Sequence, residues 1–178
     1  MKKVLRTAMK RRTMMDVSVE DLQKLQTKVI AIDADNTACF DGTHTPLPGA
    51  EDWIRSMKQA GYRLVIVSNA WASRSGDLGN RFGIPTIGTA LKPFPFGFWR
   101  ASLKMRVLPK HMTMIGDQVL TDTIGANLAG VNMVYVFPYE MEKRAPKAFG
   151  FKRNLEELIF TVQDFLDDLR TNRPTGKE

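Results

Sequence analysis

The feature that most constrains this chain is a series of short apolar runs, each ending in a polar group, with helical patterns between them. Residues 29–32 read Val-Ile-Ala-Ile and stop at Asp33; residues 63–68, 84–87, 112–115 and 131–137 repeat the pattern. A run that is apolar throughout, rather than at every second position, is a strand covered on both faces. Trp53, Ile54 and Met57 recur at helical spacing before a stop at Gly61, and residues 94–105 carry Phe98, Ala101, Leu103 and Met105 ahead of Pro109. Residues 120–129 form a short helical stretch closed by Gly130, and residues 155–169 form a longer one with an apolar face. Strands alternating with helices imply βαβ units. The expected fold is therefore α/β: a three-layer, doubly wound parallel sheet.

In such sheets ligands bind outside the carboxyl ends of the strands. The residues that follow the apolar runs are Asp33-Ala34-Asp35-Asn36-Thr37, Ser68-Asn69, Ala90-Leu91-Lys92-Pro93 and Gly116-Asp117, with Asp122 five positions on. Brought together, Asp33, Asp35 and Asp117 would repel one another unless a hard divalent cation neutralised them, and oxygen ligands favour Mg²⁺. A carboxylate can attack phosphorus, and Asp33, which directly ends its strand, is the natural nucleophile. Asp35 lies two residues on and reads as the acid that protonates a leaving oxygen. Lys92 offsets charge on the phosphate and nucleophile, while Ser68 donates to the phosphate. Taken singly, Asp-x-Asp is a common turn, Ser68-Asn69 a helix cap, Lys92 a surface charge and Asp122 a cap. The ordered set points to phosphoryl chemistry.

Charge narrows the classes further. The formal net charge is +7, but residues 1–12 hold six basic residues and no acid. The remaining 166 residues carry 20 basic and 19 acidic groups. A nearly neutral body argues against nucleic acid as the partner, and residues 1–12 read as a basic arm on a single domain spanning 13–178. The arm reads as a solvated tail, as an attachment to anionic membrane or, third, as a contact for RNA. One cysteine, Cys39, excludes a disulfide framework, and a reducing cytoplasm is the simplest compartment. Asp16, Glu20 and Asp21 interrupt any signal-peptide core, which predicts a chain that is neither secreted nor membrane-spanning. The aromatic segment 94–99 either packs the following helix or forms an exposed rim beside the site.

The order Asp33-x-Asp35-x-Thr37, Ser68, Lys92 and Gly116-Asp117 with Asp122 resembles the haloacid dehalogenase (HAD) superfamily phosphatases, across about residues 13–155. The strings Asp33-x-Asp-Asn-Thr, Val65-Ile-Val-Ser-Asn69, Ala90-x-Lys-Pro93 and Gly116-Asp-Gln-x-x-Thr-Asp122 are similar to its YqeG-like subfamily IIIA group, a neighbourhood that includes phosphatidylglycerophosphate phosphatases. The resemblance implies a Rossmannoid core and an aspartyl-phosphate on Asp33, with Asp35 as acid/base. Mg²⁺ would be held by the Asp33 and Asp117 carboxylates and the Asp35 carbonyl. Asp122 would support the metal and Lys92, and Ser68, Asn69 and Thr37 would serve the phosphate. Ala34 and residues 38–42 depart from the subfamily pattern without touching the catalytic set.

Some members insert a cap domain between these motifs. Here 30 residues separate Thr37 from Ser68 and 23 separate Ser68 from Lys92, too few for a folded cap. The expected site is open, suiting a bulky phosphomonoester: a phospholipid headgroup, a protein or a nucleic-acid end. Two rivals remain at this stage: a phospho-acceptor regulatory domain, and an RNA-associated protein that uses the same core as a scaffold.

Overall fold

The computed structural model describes residues 5–139. The chain divides into two compact units, Met1–Met141 and Glu142–Glu178, and the described residues belong to the first. The expected helix over 155–169 lies outside the described residues.

Six strands form one sheet: β1 (Met9–Arg11), β2 (Val29–Ile32), β3 (Arg63–Val67), β4 (Thr86–Ile87), β5 (Met112–Gly116) and β6 (Asn132–Val136). Their order is β1-β6-β5-β2-β3-β4, and every pairing is parallel. The helices are α1 (Val19–Lys24), α2 (Ala50–Gln59), α3 (Ala72–Phe82), α4 (Phe96–Lys104) and α5 (Ile124–Ala129). A π-helical turn, Val119–Thr123, precedes α5.

The continuous apolar runs are explained by the two buried faces. All four residues of β2 and all five of β5 are buried. On one face Ile30, Ile32, Leu64 and Ile66 join Trp53, Ile54 and Met57 of α2 and Leu78 and Phe82 of α3. Helices α4 and α5 pack against each other; α4 meets β3 and β4, and α5 meets β6. Trp53 is a core residue whose indole donates to the Val17 carbonyl at 2.9 Å. Among the described residues no helix is long and apolar enough to cross a membrane.

The chain runs outward from β2 through β3 to β4, then returns to the other side of β2 as β5. The switch in direction opens a crevice at the carboxyl ends of β2 and β5. Asp33 follows the first of these strands, and Asp117 follows the second.

The N-terminal segment differs from the expected arm over residues 8–12. Met9–Arg11 pairs in parallel with β6, and the Ala8 N–H donates to the Met133 carbonyl at 2.7 Å. Arg11 forms an ion pair with Asp21, and Met9 packs against the core. The physical reason is that β6 without a neighbour would leave an open row of backbone donors and acceptors. Lys10 and Arg11 are the charged residues expected of a sheet edge. The helix read over 120–129 is divided, its first half being the π turn and only Ile124–Ala129 being α.

Candidate active site

Asp33 extends β2, its N–H donating to the Ile115 carbonyl of β5 at 2.9 Å. That bond fixes the first carboxylate beside the strand that delivers Asp117. One carboxylate oxygen from each of Asp33, Asp117 and Asp122 lies within 4.8 Å of the others, and all three residues are buried.

Lys92 enters this group from the opposite loop. Its Nζ donates to Asp33 Oδ1 at 2.7 Å and to Asp122 Oδ1 at 2.6 Å, with its side chain almost wholly buried. Two charge-assisted bonds overcome the cost of burial, and the ammonium is held above its ordinary range by Asp122 and Asp33. The carboxylates are under the opposite stress. Burial pushes Asp33 upward, with Asp122 adding to the shift and Lys92 opposing it. Burial pushes Asp117 well up, and the Asp33 and Asp122 charges push it further.

The charges do not balance. Three buried carboxylates face one ammonium, leaving about two negative charges uncompensated when all are ionised. A hard divalent cation fits both that charge and the all-oxygen donor set.

Loop geometry explains how Lys92 gets there. Asn69 clamps its backbone from both sides: Asn69 Nδ2 donates to the Lys92 carbonyl at 2.9 Å, and the Lys92 N–H donates to Asn69 Oδ1 at 2.7 Å. The Ala90 N–H donates to the Ser68 carbonyl and the Thr89 N–H to the Ala70 carbonyl. Thr89 and Leu91 adopt left-handed backbone at φ 47° and 58° to make the turn. The Asn69 amide is thus committed to Lys92 and acts on the site through it. Ser68 is buried, its hydroxyl accepting from the Ala70 N–H at 3.1 Å. Thr37 Oγ1 approaches Asp117 Oδ1 at 3.5 Å, the outer limit of a hydrogen bond.

Asp35 stands apart from the carboxylate cluster. Arg74, in the first turn of α3, donates to it through Nη1 at 3.1 Å and Nη2 at 2.5 Å, and the Gly42 N–H donates at 2.8 Å. Arg74 Nη2 also reaches the Thr43 carbonyl at 2.9 Å. The Asp35 carboxylate is therefore tied to α3 and the 42–43 loop, so any share it has in a metal site falls to its backbone carbonyl. Sequence reading missed Arg74. Its only signal was a basic residue one turn into the helix after Ser68-Asn69.

Gly116 is required by packing. A Cβ there would lie 2.4 Å from Asp122 Oδ2. Asp122 Oδ2 also accepts from the Gln118 N–H at 3.1 Å, so the π turn folds this carboxylate back over the end of β5.

The model of the haloacid dehalogenase-like hydrolases matches residues 2–130, and the chain belongs to that family. It is 34% identical over 122 residues to a protein of Bacillus subtilis (strain 168) described as "Probable phosphatase YqeG", covering 68% of this chain and 71% of that one. The fold is similar to the crystal structure of a predicted phosphoglycolate phosphatase from Haemophilus somnus 129pt, with TM-score 0.52, 17% identity, and 65% of this chain and 89% of the other covered. It is also similar to an uncharacterized protein from Listeria monocytogenes serotype 4b, with TM-score 0.53, 18% identity, and coverage of 67% and 85%. The chain is a phosphatase of this family acting on a phosphorylated substrate.

Proposed function

We propose that this phosphatase is a Mg²⁺-dependent phosphomonoester hydrolase working through an aspartyl-phosphate on Asp33. The observation that carries the reading is the buried group of Asp33, Asp117 and Asp122 with Lys92 bridging two of them. Asp33, Asp117 and Asp122, with the Asp35 carbonyl, are the residues to hold the ion. When bound, it supplies the positive charge that lets the carboxylates ionise together and draws phosphate oxygens toward them.

Lys92 holds Asp33 Oδ1, and attack on phosphorus falls to Oδ2. The bond from phosphorus to the leaving oxygen breaks as the Asp33–phosphorus bond forms. Asp35 gives its proton to that oxygen. Asp35 then takes a proton from water, whose oxygen attacks phosphorus and releases inorganic phosphate from Asp33. Arg74 and the Gly42 N–H hold Asp35 as the ionised base of the second transfer; for the first, Asp35 turns off Arg74 carrying its proton. Ser68, Thr37 and the backbone held by Asn69 receive the phosphate oxygens.

The substrate proposed is a lipid phosphomonoester, phosphatidylglycerophosphate. Its support is the lack of an inserted cap: the motif intervals hold only a loop, α2 and β3, then α3 and β4. The test is hydrolysis of an aryl phosphate with Mg²⁺ by the wild type and Asp33→Asn. Loss of at least about 10³-fold in kcat is expected with the melting temperature retained; persistent turnover overturns the nucleophile assignment. A panel of lipid, sugar and nucleotide phosphomonoesters tests the substrate, and preference for a water-soluble member refutes the lipid reading.

A further inference from the structure

Helix α4 has two apolar faces. Gly97, Phe98, Ala101 and Ser102 are buried against the core. Phe96, Trp99 and Leu103, spaced three and four apart, form a second stripe that faces solvent. Their exposures of 53%, 47% and 82% are those of surface residues. The stripe continues without a gap into the preceding loop: the Phe96 ring edge meets Trp99 at 5.9 Å and stacks on Phe94 at 6.2 Å. Phe94 is 60% exposed and Leu91 is 55% exposed.

This apolar surface adjoins the site. Leu91 and Phe94 flank Lys92 and its proline, and the Phe94 N–H closes the turn onto the Leu91 carbonyl at 2.9 Å. The loop is stapled by Asn69 to the Ser68 segment. That segment leads directly to Trp71, which is 82% exposed. The large apolar side chains sit on the two loops that carry Lys92 and Ser68.

The stretch of chain that carries α4 and the Lys92 loop is charged with one sign only. Residues 78–116 hold no aspartate or glutamate but six lysines and arginines. Of these, Lys92 is internal and Arg81 pairs with Glu51. Arg100, Lys104, Arg106 and Lys110 are exposed, and the first two border the aromatic stripe along α4.

We propose that this face of α4, with Trp71, Leu91 and Phe94, docks on an anionic phospholipid bilayer. Aromatic rings at headgroup depth with cations beside them are the chemistry of an interfacial helix. Each exposed cation near an anionic leaflet adds to the attraction. A second copy of the chain fits less well, because a two-fold contact through the stripe would bring Arg100 and Lys104 of both copies to one interface. Docking in this orientation brings the loops that carry Lys92 and Ser68 to headgroup level, where a lipid phosphomonoester presents its phosphate. The inference deepens the proposed function and rests on it for the purpose of the contact.

The test is flotation of the full chain with phosphatidylcholine vesicles, with and without about one third phosphatidylglycerol, beside tryptophan fluorescence. Trp71 and Trp99 are exposed and Trp53 is buried, so a blue shift reports the docking face. Binding and a blue shift are expected with the anionic vesicles. Phe96→Ser with Trp99→Ser should weaken binding at least about tenfold, as should Lys104→Glu with Arg106→Glu. Both variants should hydrolyse a soluble aryl phosphate at the wild-type rate. The proposal is overturned if neither vesicle binds, if both variants bind as well as the wild type, or if neutralising Lys2, Lys3 and Arg6 abolishes binding instead. It is also overturned if sedimentation shows a dimer that the serine variant dissociates. A wild type that floats but hydrolyses nothing would refute the phosphatase chemistry and leave the docking face standing.

Discussion

Replacing Gly116 with alanine perturbs the active site by a single methyl group. Gly116 is the last residue of β5 and its backbone is not left-handed, so the demand for glycine is one of space. The new Cβ would lie 2.4 Å from Asp122 Oδ2 and 2.6 Å from Asp122 Cγ, where ordinary contact begins at 3.4 Å. The carboxylate must therefore retreat by about 1 Å. It has nowhere to go: Asp122 is fully buried, held by Lys92 Nζ at 2.6 Å and by the Gln118 N–H at 3.1 Å. Overpacking of this kind costs about 1–3 kcal/mol, which lowers Tm by about 2–12 °C for a chain of this size. A misplacement of about 1 Å at a reacting centre costs about 10² in rate. Gly76→Ala is the matched control. It lies within α3 with nothing within 4 Å of its Cβ, and alanine there should gain about 0.5–1 kcal/mol. Thermal melts and aryl phosphatase kcat/KM on both variants decide the matter. Wild-type kcat/KM in Gly116→Ala, or an equal stability loss in Gly76→Ala, would refute the reasoning.

The remaining predictions concern charge. Saturating Mg²⁺, at about 100 times its Kd, should stabilise the fold by about 2.7 kcal/mol in thermal melts; Asp117→Asn should remove most of that shift, and an undiminished shift would place the ion elsewhere. Arg74→Ala should lower aryl phosphatase kcat/KM by about 10- to 150-fold, the equivalent of a charged hydrogen bond of about 1.5–3 kcal/mol. Arg74→Lys should restore little, since one ammonium cannot replace two N–H donors in a fork; full rescue by lysine would contradict the positioning role. The hydrogen bond from Arg11 holds the Asp21 carboxyl below its ordinary value near 3.8. Because the folded value is the lower one, this stabilisation is present above that pH and is lost as pH falls through the folded value. In urea titrations the stability gap between wild type and Asp21→Asn should hold steady near neutrality and close below about pH 4; a gap that persists in strong acid would refute the pairing.

Much of the fold is legible locally. The apolar runs at 29–32, 63–68 and 112–115 became β2, β3 and β5 within a residue at their ends, because a strand buried on both faces needs no partner information to be recognised. Asp33 and Asp117 meet because residues that end adjacent central parallel strands share one crevice, whereas Asp35, expected beside them, is held by Arg74, and Asp122 of the π turn takes the third place. Residues 9–11 were not legible as a strand. Their charges outweigh their apolar content, and only the exposed edge of β6 makes pairing favourable. Arg74 and the Asn69 clamp were invisible for a related reason: their partners lie 39 and 23 residues away in sequence. The aromatic segment 94–99 fits both of its readings, with Phe98 in the core and Phe94, Phe96 and Trp99 outside.

The sequence by itself determined the layer architecture, the order of the motifs and the strand ends that lie side by side, because periodicity and strand-end placement are properties of nearest neighbours along the chain. The tertiary structure decided which charges balance. It tied Asp35 to Arg74, left three carboxylates facing one ammonium that bonds only two of them, and turned half of an aromatic helix outward beside the site. Each of those outcomes depends on distances between segments remote in sequence, and burial, which sets what an unpaired charge costs, exists only once the chain has folded.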